Sequence, residues 1–236
     1  MPTIINHLKE LRKRIISVII FLITFFILGF IYSGFILNRI RLDFITKDIE
    51  LIVTTPVEFF IAKLNIALFA AIVLVFPFLL YHLLMFLKPA MKGKEKALVL
   101  IFLPFSLFLF VFGIIFSYFL FLNVAVLFFS QLAVKASVLN LWSISKFIGF
   151  VFTSCLVFGL LFQLPVITML LSKLNLLDAK ILREKRKYFI LLIFIIAALI
   201  TPPDPLTQIM IALPLILLYE LSIFLVGIFK KKEILG

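Results

Sequence analysis

The chain has 236 residues, 65% of them hydrophobic and 31 of them phenylalanine, with a mean hydropathy of +1.31. A soluble domain is roughly 45–50% apolar, so these totals exclude a soluble globular protein and define a polytopic membrane protein. The net charge of +12 is no nucleic-acid signal, because the cations stand at the ends of apolar runs, where they set topology.

The first stretch to read is HLKELRKRI, His7 to Ile15. Ile4, Leu8, Leu11 and Ile15 recur at helical spacing, which predicts a short amphipathic helix along the headgroups. It carries Lys9, Arg12, Lys13 and Arg14 against one acid, Glu10. Residues 15–37 then run without a charge, enough for about 34 Å of helix and a first span. Residues 38–55 mix both signs and read as a structured external loop. A second apolar run, Val57 to Leu87, is interrupted near its start by Glu58, Lys63 and Asn65, so its first turns read as interfacial and the span itself as 64–87. The loop KPAMKGKEK, Lys88 to Lys96, sets four lysines around Glu95.

Four further spans are expected at 97–122, 147–171, 188–201 and 206–229. A weakly polar connection, 123–146, separates the first two of these, with a partial turn of helix expected at Val124 to Phe129. The most basic connection, 172–187, precedes the short fifth span, and the rigid turn TPPDP, Thr201 to Pro205, ends it. The last run leads into Lys230, Lys231 and Lys232. Six spans place both termini on one side. That side receives 17 of the 23 Lys and Arg and the other receives 6, so both termini are expected in the cytoplasm. The expected fold class is all-α, a single membrane domain over 1–236 with six transmembrane helices. No internal repeat supports an inverted-repeat transporter. Pro77, Pro104, Pro165 and Pro214 punctuate four spans. They either bend the helices into a concave bundle or reflect the general frequency of proline in membrane helices.

The chemistry lies in a few polar groups. Cys155 is the one cysteine, and His7 and His82 are isolated, so no disulfide, metal or other cofactor is expected. No nucleophile elbow or phosphate loop is present, and the reading is not an enzyme. Glu10 and Glu95 each either pair with a neighbouring cation or accept a guanidinium, whose planar fork suits a carboxylate. Gln163 and Glu220 sit inside apolar runs, where an ionised acid costs about 2.5–3.5 kcal/mol on insertion scales. They form either a polar floor for a ligand or single interhelical hydrogen bonds, with Glu220 ionised or protonated. Asp204 and Gln208, beside Pro202, either cap the last helix or touch a partner at the external end. These groups also frame a rival reading, a proton-coupled small-solute carrier.

Six strings in order give the chain its resemblance. They are HLKELRKRI, FPFLLYHLLMFLKPAMKGKEK (Phe76 to Lys96), FSYF (Phe116 to Phe119), FQLPV (Phe162 to Val166), LITPPDPLTQ (Leu199 to Gln208) and LPLILLYE (Leu213 to Glu220). Together the chain resembles the TatC family, the multispan subunit of the twin-arginine protein translocase. The resemblance implies a multi-pass protein of the cell inner membrane that binds twin-arginine signal peptides of folded precursors. It implies work with single-span Tat subunits of the TatA and TatB type, homo-oligomers within the complex, and drive from the proton-motive force. It places signal-peptide contact at Glu10 and Glu95, with His7, Leu11 and Arg12 beside them. It places partner contact at the external end, at Pro202, Asp204, Gln208 and Tyr118. Gln163 stands where the family often has an acid, so any role there falls to a neutral amide.

Overall fold

The computed structural model describes the backbone of residues 2–45, 49–87, 95–173, 176–200 and 205–234. Side chains are described in the same stretches except at 2–8, 10, 11, 45, 86, 87, 95–101, 199, 200, 206 and 229–234. The chain divides into two compact units, one of residues 1–87 and 122–156, the other of residues 88–121 and 157–236.

In the first unit, α1 (Pro2–Ile45) and α2 (Glu58–Leu87) pack side by side in opposite directions. The pairing is set by small residues and rings. A Cβ on Gly29 would lie 3.0 Å from the Ala67 carbonyl oxygen and from the Ala70 methyl, so the bare glycine lets the two helices approach closely here. Towards one end Phe21 stacks on Phe78 at 4.4 Å, and towards the other Phe30 meets Phe60 edge-on at 5.9 Å. The opposite face of α1 presents Ile16, Ile20, Ile23, Ile27 and Ile31 to the surroundings. On an apolar helix of this length such a row is a lipid-facing surface.

The helix α1 overruns the span expected at 15–37, and residues 38–45 continue it where a loop is expected. The cause is amphipathic continuation. Ile40 and Phe44 are buried, Phe44 meets Phe147 edge-on at 5.2 Å, and Arg39 pairs with Asp43 one turn on at 3.6 Å. The connection 123–146 also differs from its expectation. Residues Leu122–Lys135 form α4, burying Leu122, Ala125 and Val126, because the apolar period of this stretch outweighs Asn123 and Gln131. The strands β1 (Glu50–Ile52) and β2 (Leu141–Ser143) pair in parallel, Leu51 opposite Trp142. Each strand leads into a helix, α2 and α5 (Ile144–Leu161), so these helices run the same way. Phe69 of α2 stacks on Phe152 of α5 at 4.3 Å.

In the second unit, α3 (Glu95–Phe116) passes through a π-helical turn, Ser117–Phe121. It crosses residues 157–161, the last turn of α5, at two glycines. A Cβ on Gly113 would lie 2.7 Å from the Phe158 carbonyl oxygen, and one on Gly159 would lie 2.8 Å from the Phe110 ring. Phe116, Phe158 and Phe162 close the crossing with centroids 5.5–5.6 Å apart.

The expected fourth span, 147–171, is not one helix: α5 ends at Leu161 and α6 spans Leu164–Lys173. Pro165 supplies the break, since it lacks the amide hydrogen that would continue the ladder. The short α7 (Ala179–Glu184) precedes α8 (Arg186–Ile200) and α9 (Pro205–Ile234). Pro77, Pro104 and Pro214 lie inside α2, α3 and α9, which continue past them. Among the described residues, five stretches are long and apolar enough to cross a membrane: Arg12–Phe44, Glu58–Met85, Phe102–Lys135, Ile144–Lys173 and Thr207–Ile228. The expected fifth span, 188–201, corresponds to the 15 residues of α8, about 22 Å of helix against roughly 30 Å of hydrocarbon.

Candidate functional site

The N-terminal end of α1 carries His7, Glu10, Leu11 and Arg12 on helical backbone. Arg12 and Lys13 are exposed, while Arg14 turns back and its Nη1 donates to the His82 carbonyl oxygen of α2 at 2.9 Å. That bond fixes the cationic turn of α1 against α2. The side chains of His7, Glu10, Leu11 and Glu95 lie outside the described residues. Glu95 is the first residue of α3, where the helix dipole favours a carboxylate.

Gln163 stands in the gap between α5 and α6. Its backbone N–H bonds the Leu160 carbonyl rather than the Gly159 carbonyl that a regular helix would use. Its own side-chain Nε2 reaches back to the Gly159 carbonyl at 3.4 Å and also donates to the Ser106 carbonyl at 3.1 Å. Its Oε1 accepts from the Ser106 hydroxyl. The amide therefore patches a broken helix and ties it to α3. Membrane interhelical hydrogen bonds average about 0.6 kcal/mol, so Ser106→Ala, which removes one, should lower stability by about that much and Gln163→Ala, which removes two, by more. The double variant should lose no more than Gln163→Ala alone. Additive losses in a detergent thermal-unfolding cycle would contradict the pairing.

Glu220 is not a lone intramembrane acid. Its Oε2 accepts from Arg186 Nη2 at 2.8 Å, and Arg186 is the first residue of α8, so Glu220 stands level with that end of the helix. Both side chains are close to half exposed. Beside them the Tyr219 hydroxyl donates to the Leu182 carbonyl of α7 at 2.6 Å. Gln208 ties α9 to α8, its Nε2 donating to the Phe194 carbonyl of α8 at 3.0 Å. Tyr118 lies in the π-helical turn, edge-on to Phe119 at 5.2 Å. Pro202 and Asp204 fall outside the described residues.

One organising residue was not singled out in the sequence. Glu58 is 4% exposed, and its Oε2 accepts from Thr54 N at 2.5 Å, Thr54 Oγ1 at 2.7 Å and Thr55 N at 3.4 Å. Its Oε1 accepts from Ser145 Oγ at 3.2 Å and from the Ser143 hydroxyl. One carboxylate thus joins the start of α2 to the β2–α5 connection. The signal was present as Thr55-Pro56-Val57-Glu58, the spacing of a capping box. Glu58→Ala leaves these donors without their acceptor and should cost about 1–3 kcal/mol. A lower thermal midpoint in detergent reads that loss, and an unchanged midpoint would contradict the anchoring.

These elements define a multi-pass helical membrane protein with polar groups at helix ends and breaks, and its family follows from comparison with known proteins. The TatC family profile, described as Sec-independent protein translocase protein (TatC), matches residues 6–214. The TatC protein of Carboxydothermus hydrogenoformans is 35% identical over 236 residues, covering 99% of this chain and 96% of that protein. The Aquifex aeolicus TatC protein is also 35% identical, with 97% of each chain covered. A crystal structure described as the twin arginine translocase receptor TatC superposes with a TM-score of 0.84 at 32% identity, covering 94% of this chain and 98% of that one. The chain belongs to the TatC family of Sec-independent protein translocase proteins.

Proposed function

We propose that this protein is the signal-peptide receptor and core subunit of a twin-arginine translocase in the cytoplasmic membrane, with six spans and both termini in the cytoplasm. The match to TatC proteins along nearly the whole chain carries the reading, together with a solved relative that is itself described as a receptor. Glu10 and Glu95 accept the two guanidinium groups of the signal peptide, with His7, Leu11 and Arg12 framing the contact. Lysines around each acid keep it ionised and repel cations that cannot offset their own desolvation. The partners are signal peptides of folded precursors and single-span Tat subunits, the latter meeting the external turn at Pro202, Asp204, Gln208 and Tyr118. The short α8 suits such a role, because hydrophobic mismatch thins the bilayer or draws in a neighbouring helix. The proton-motive force drives transport.

The rival solute-carrier reading loses its proton relay, since Gln163 is engaged by Ser106 and Glu220 by Arg186. A photo-crosslinker tests the receptor face. Placed at exposed Lys9 it should capture a twin-arginine signal peptide, and placed at Lys146, by the β2 connection, it should not. Capture at Lys146 with none at Lys9 would overturn the reading.

A further inference from the structure

The seam between α1 and α2 is notched on both faces beside the Arg14–His82 contact. One notch, of about 420 Å³, is apolar apart from those two residues and lies against Ile15, Val18, Ile19, Leu79 and Leu83. The other, of about 360 Å³, is lined by Lys13, Arg14, Ser17, Tyr81, His82 and Met85. The two differ because helical spacing sends residues 13 and 17 to one side of α1 and residues 15 and 19 to the other.

The second notch is built for an anion. Lysine and arginine side chains converge there with a serine hydroxyl and a tyrosine, and no carboxylate lines it among the described residues. Its volume falls in the range of small-ligand sites, about 300–1,000 Å³. Next to it along the same helices, Leu74 and Phe78 of α2 are exposed and apolar, and Phe78 stacks on Phe21 of α1. A phosphate at the cations with hydrocarbon along the adjoining surface matches that order of chemistry, and tyrosine is at home at headgroup level. We propose that this notch is a binding site for an anionic glycerophospholipid, its phosphate held by Lys13, Arg14, Ser17 and Tyr81 and an acyl chain lying over Phe21 and Phe78. Basic pockets between membrane helices take such headgroups. The site stands apart from the receptor reading above and does not depend on it.

Native mass spectrometry of the full chain in detergent, with dioleoyl phosphatidylglycerol and dioleoyl phosphatidylcholine added in equal amounts, tests the site. The protein should retain the anionic lipid about fivefold or more over the zwitterionic one, the preference expected from a cation near a membrane surface. Lys13→Glu and the pair Lys13→Gln with Tyr81→Phe should each reduce it to within about twofold. Both positions are exposed, so folding is spared, and Arg14 is left in place to hold the helices together. Ile19→Trp, which fills the apolar notch on the other face, and Lys180→Gln, which removes an exposed cation of the second unit, should leave the preference intact. Equal retention of both lipids by the unaltered protein would overturn the proposal. So would an equal loss on Lys180→Gln, which would mark a bulk charge effect. Glycerol 3-phosphate should not displace the lipid at matched concentration, and its doing so would overturn the acyl-chain half of the site.

Discussion

Replacing Glu10 and Glu95 together by alanine should abolish crosslinking of a twin-arginine signal peptide while the protein still inserts into the membrane. The size of the effect follows from the bonds lost. A charge-assisted hydrogen bond contributes about 1.5–3 kcal/mol net, so two guanidinium–carboxylate contacts amount to about 3–6 kcal/mol. That corresponds to about 10²- to 10⁴-fold in affinity before solvent screening weakens it. Each single variant should fall between the double variant and the unaltered protein, because each removes one of two acceptors. Glu10→Asp should retain more binding than Glu10→Ala, since it keeps the charge and shortens only the reach. Membrane insertion, checked by protease protection, separates lost recognition from lost protein. Undiminished crosslinking in the double variant would remove these acids from the recognition site.

Gly113→Leu should have the largest effect on folding of any single change considered. The Cβ it introduces would sit 2.7 Å from the Phe158 carbonyl oxygen, and that oxygen is backbone and cannot swing away as a flexible side chain would. The helices α3 and α5 must then move apart. That breaks the close contact of Gly159 with Phe110 and strains the Gln163–Ser106 bonds nearby. Overpacking costs about 1–3 kcal/mol in ordinary cores, and a leucine against backbone should reach the upper end or beyond. Gly113→Ala should already lower the thermal midpoint and the yield of monodisperse protein. Gly34 is the control on the same readout, since a Cβ there meets nothing within 4 Å. Gly34→Ala should be neutral or slightly stabilising, because alanine loses less conformational entropy in a helix. Equal losses at the two positions would contradict the crossing.

Much of this architecture is written in the one-dimensional pattern, and its limits have physical reasons. Apolar runs show where α1, α2, α3, α5 and α9 lie, because a membrane span needs length and low charge and little else. They fail where amphipathic helix replaces uniform apolarity. Residues 38–45 read as loop and 123–135 as loop with at most a partial helical turn, because of their polar side chains, yet each buries a face at helical spacing. Pro165 marks a break that composition alone cannot separate from a bend. The partners of polar groups are the least legible part. Glu220 has no charged neighbour close to it in sequence, and only the fold brings Arg186 to it from 34 residues away. Gln163 meets Ser106 across 57 residues and Glu58 meets Ser143 across 85. Such contacts depend on which helices are neighbours, which no local spacing encodes. The cationic turn at Lys9–Arg14 was legible as a charge pattern, and its attachment to α2 through His82 was not.

In the proposed receptor two carboxylates read a pair of guanidinium groups, not a pair of positive charges. The most direct measurement is the affinity of the purified protein for two signal peptides that differ only in Arg-Arg against Lys-Lys. Lysine offers a point charge where arginine offers a planar fork, so the arginine peptide should bind at least tenfold more tightly. That margin should vanish in the Glu10→Ala, Glu95→Ala variant. Equal affinity for the two peptides in the unaltered protein would contradict the account.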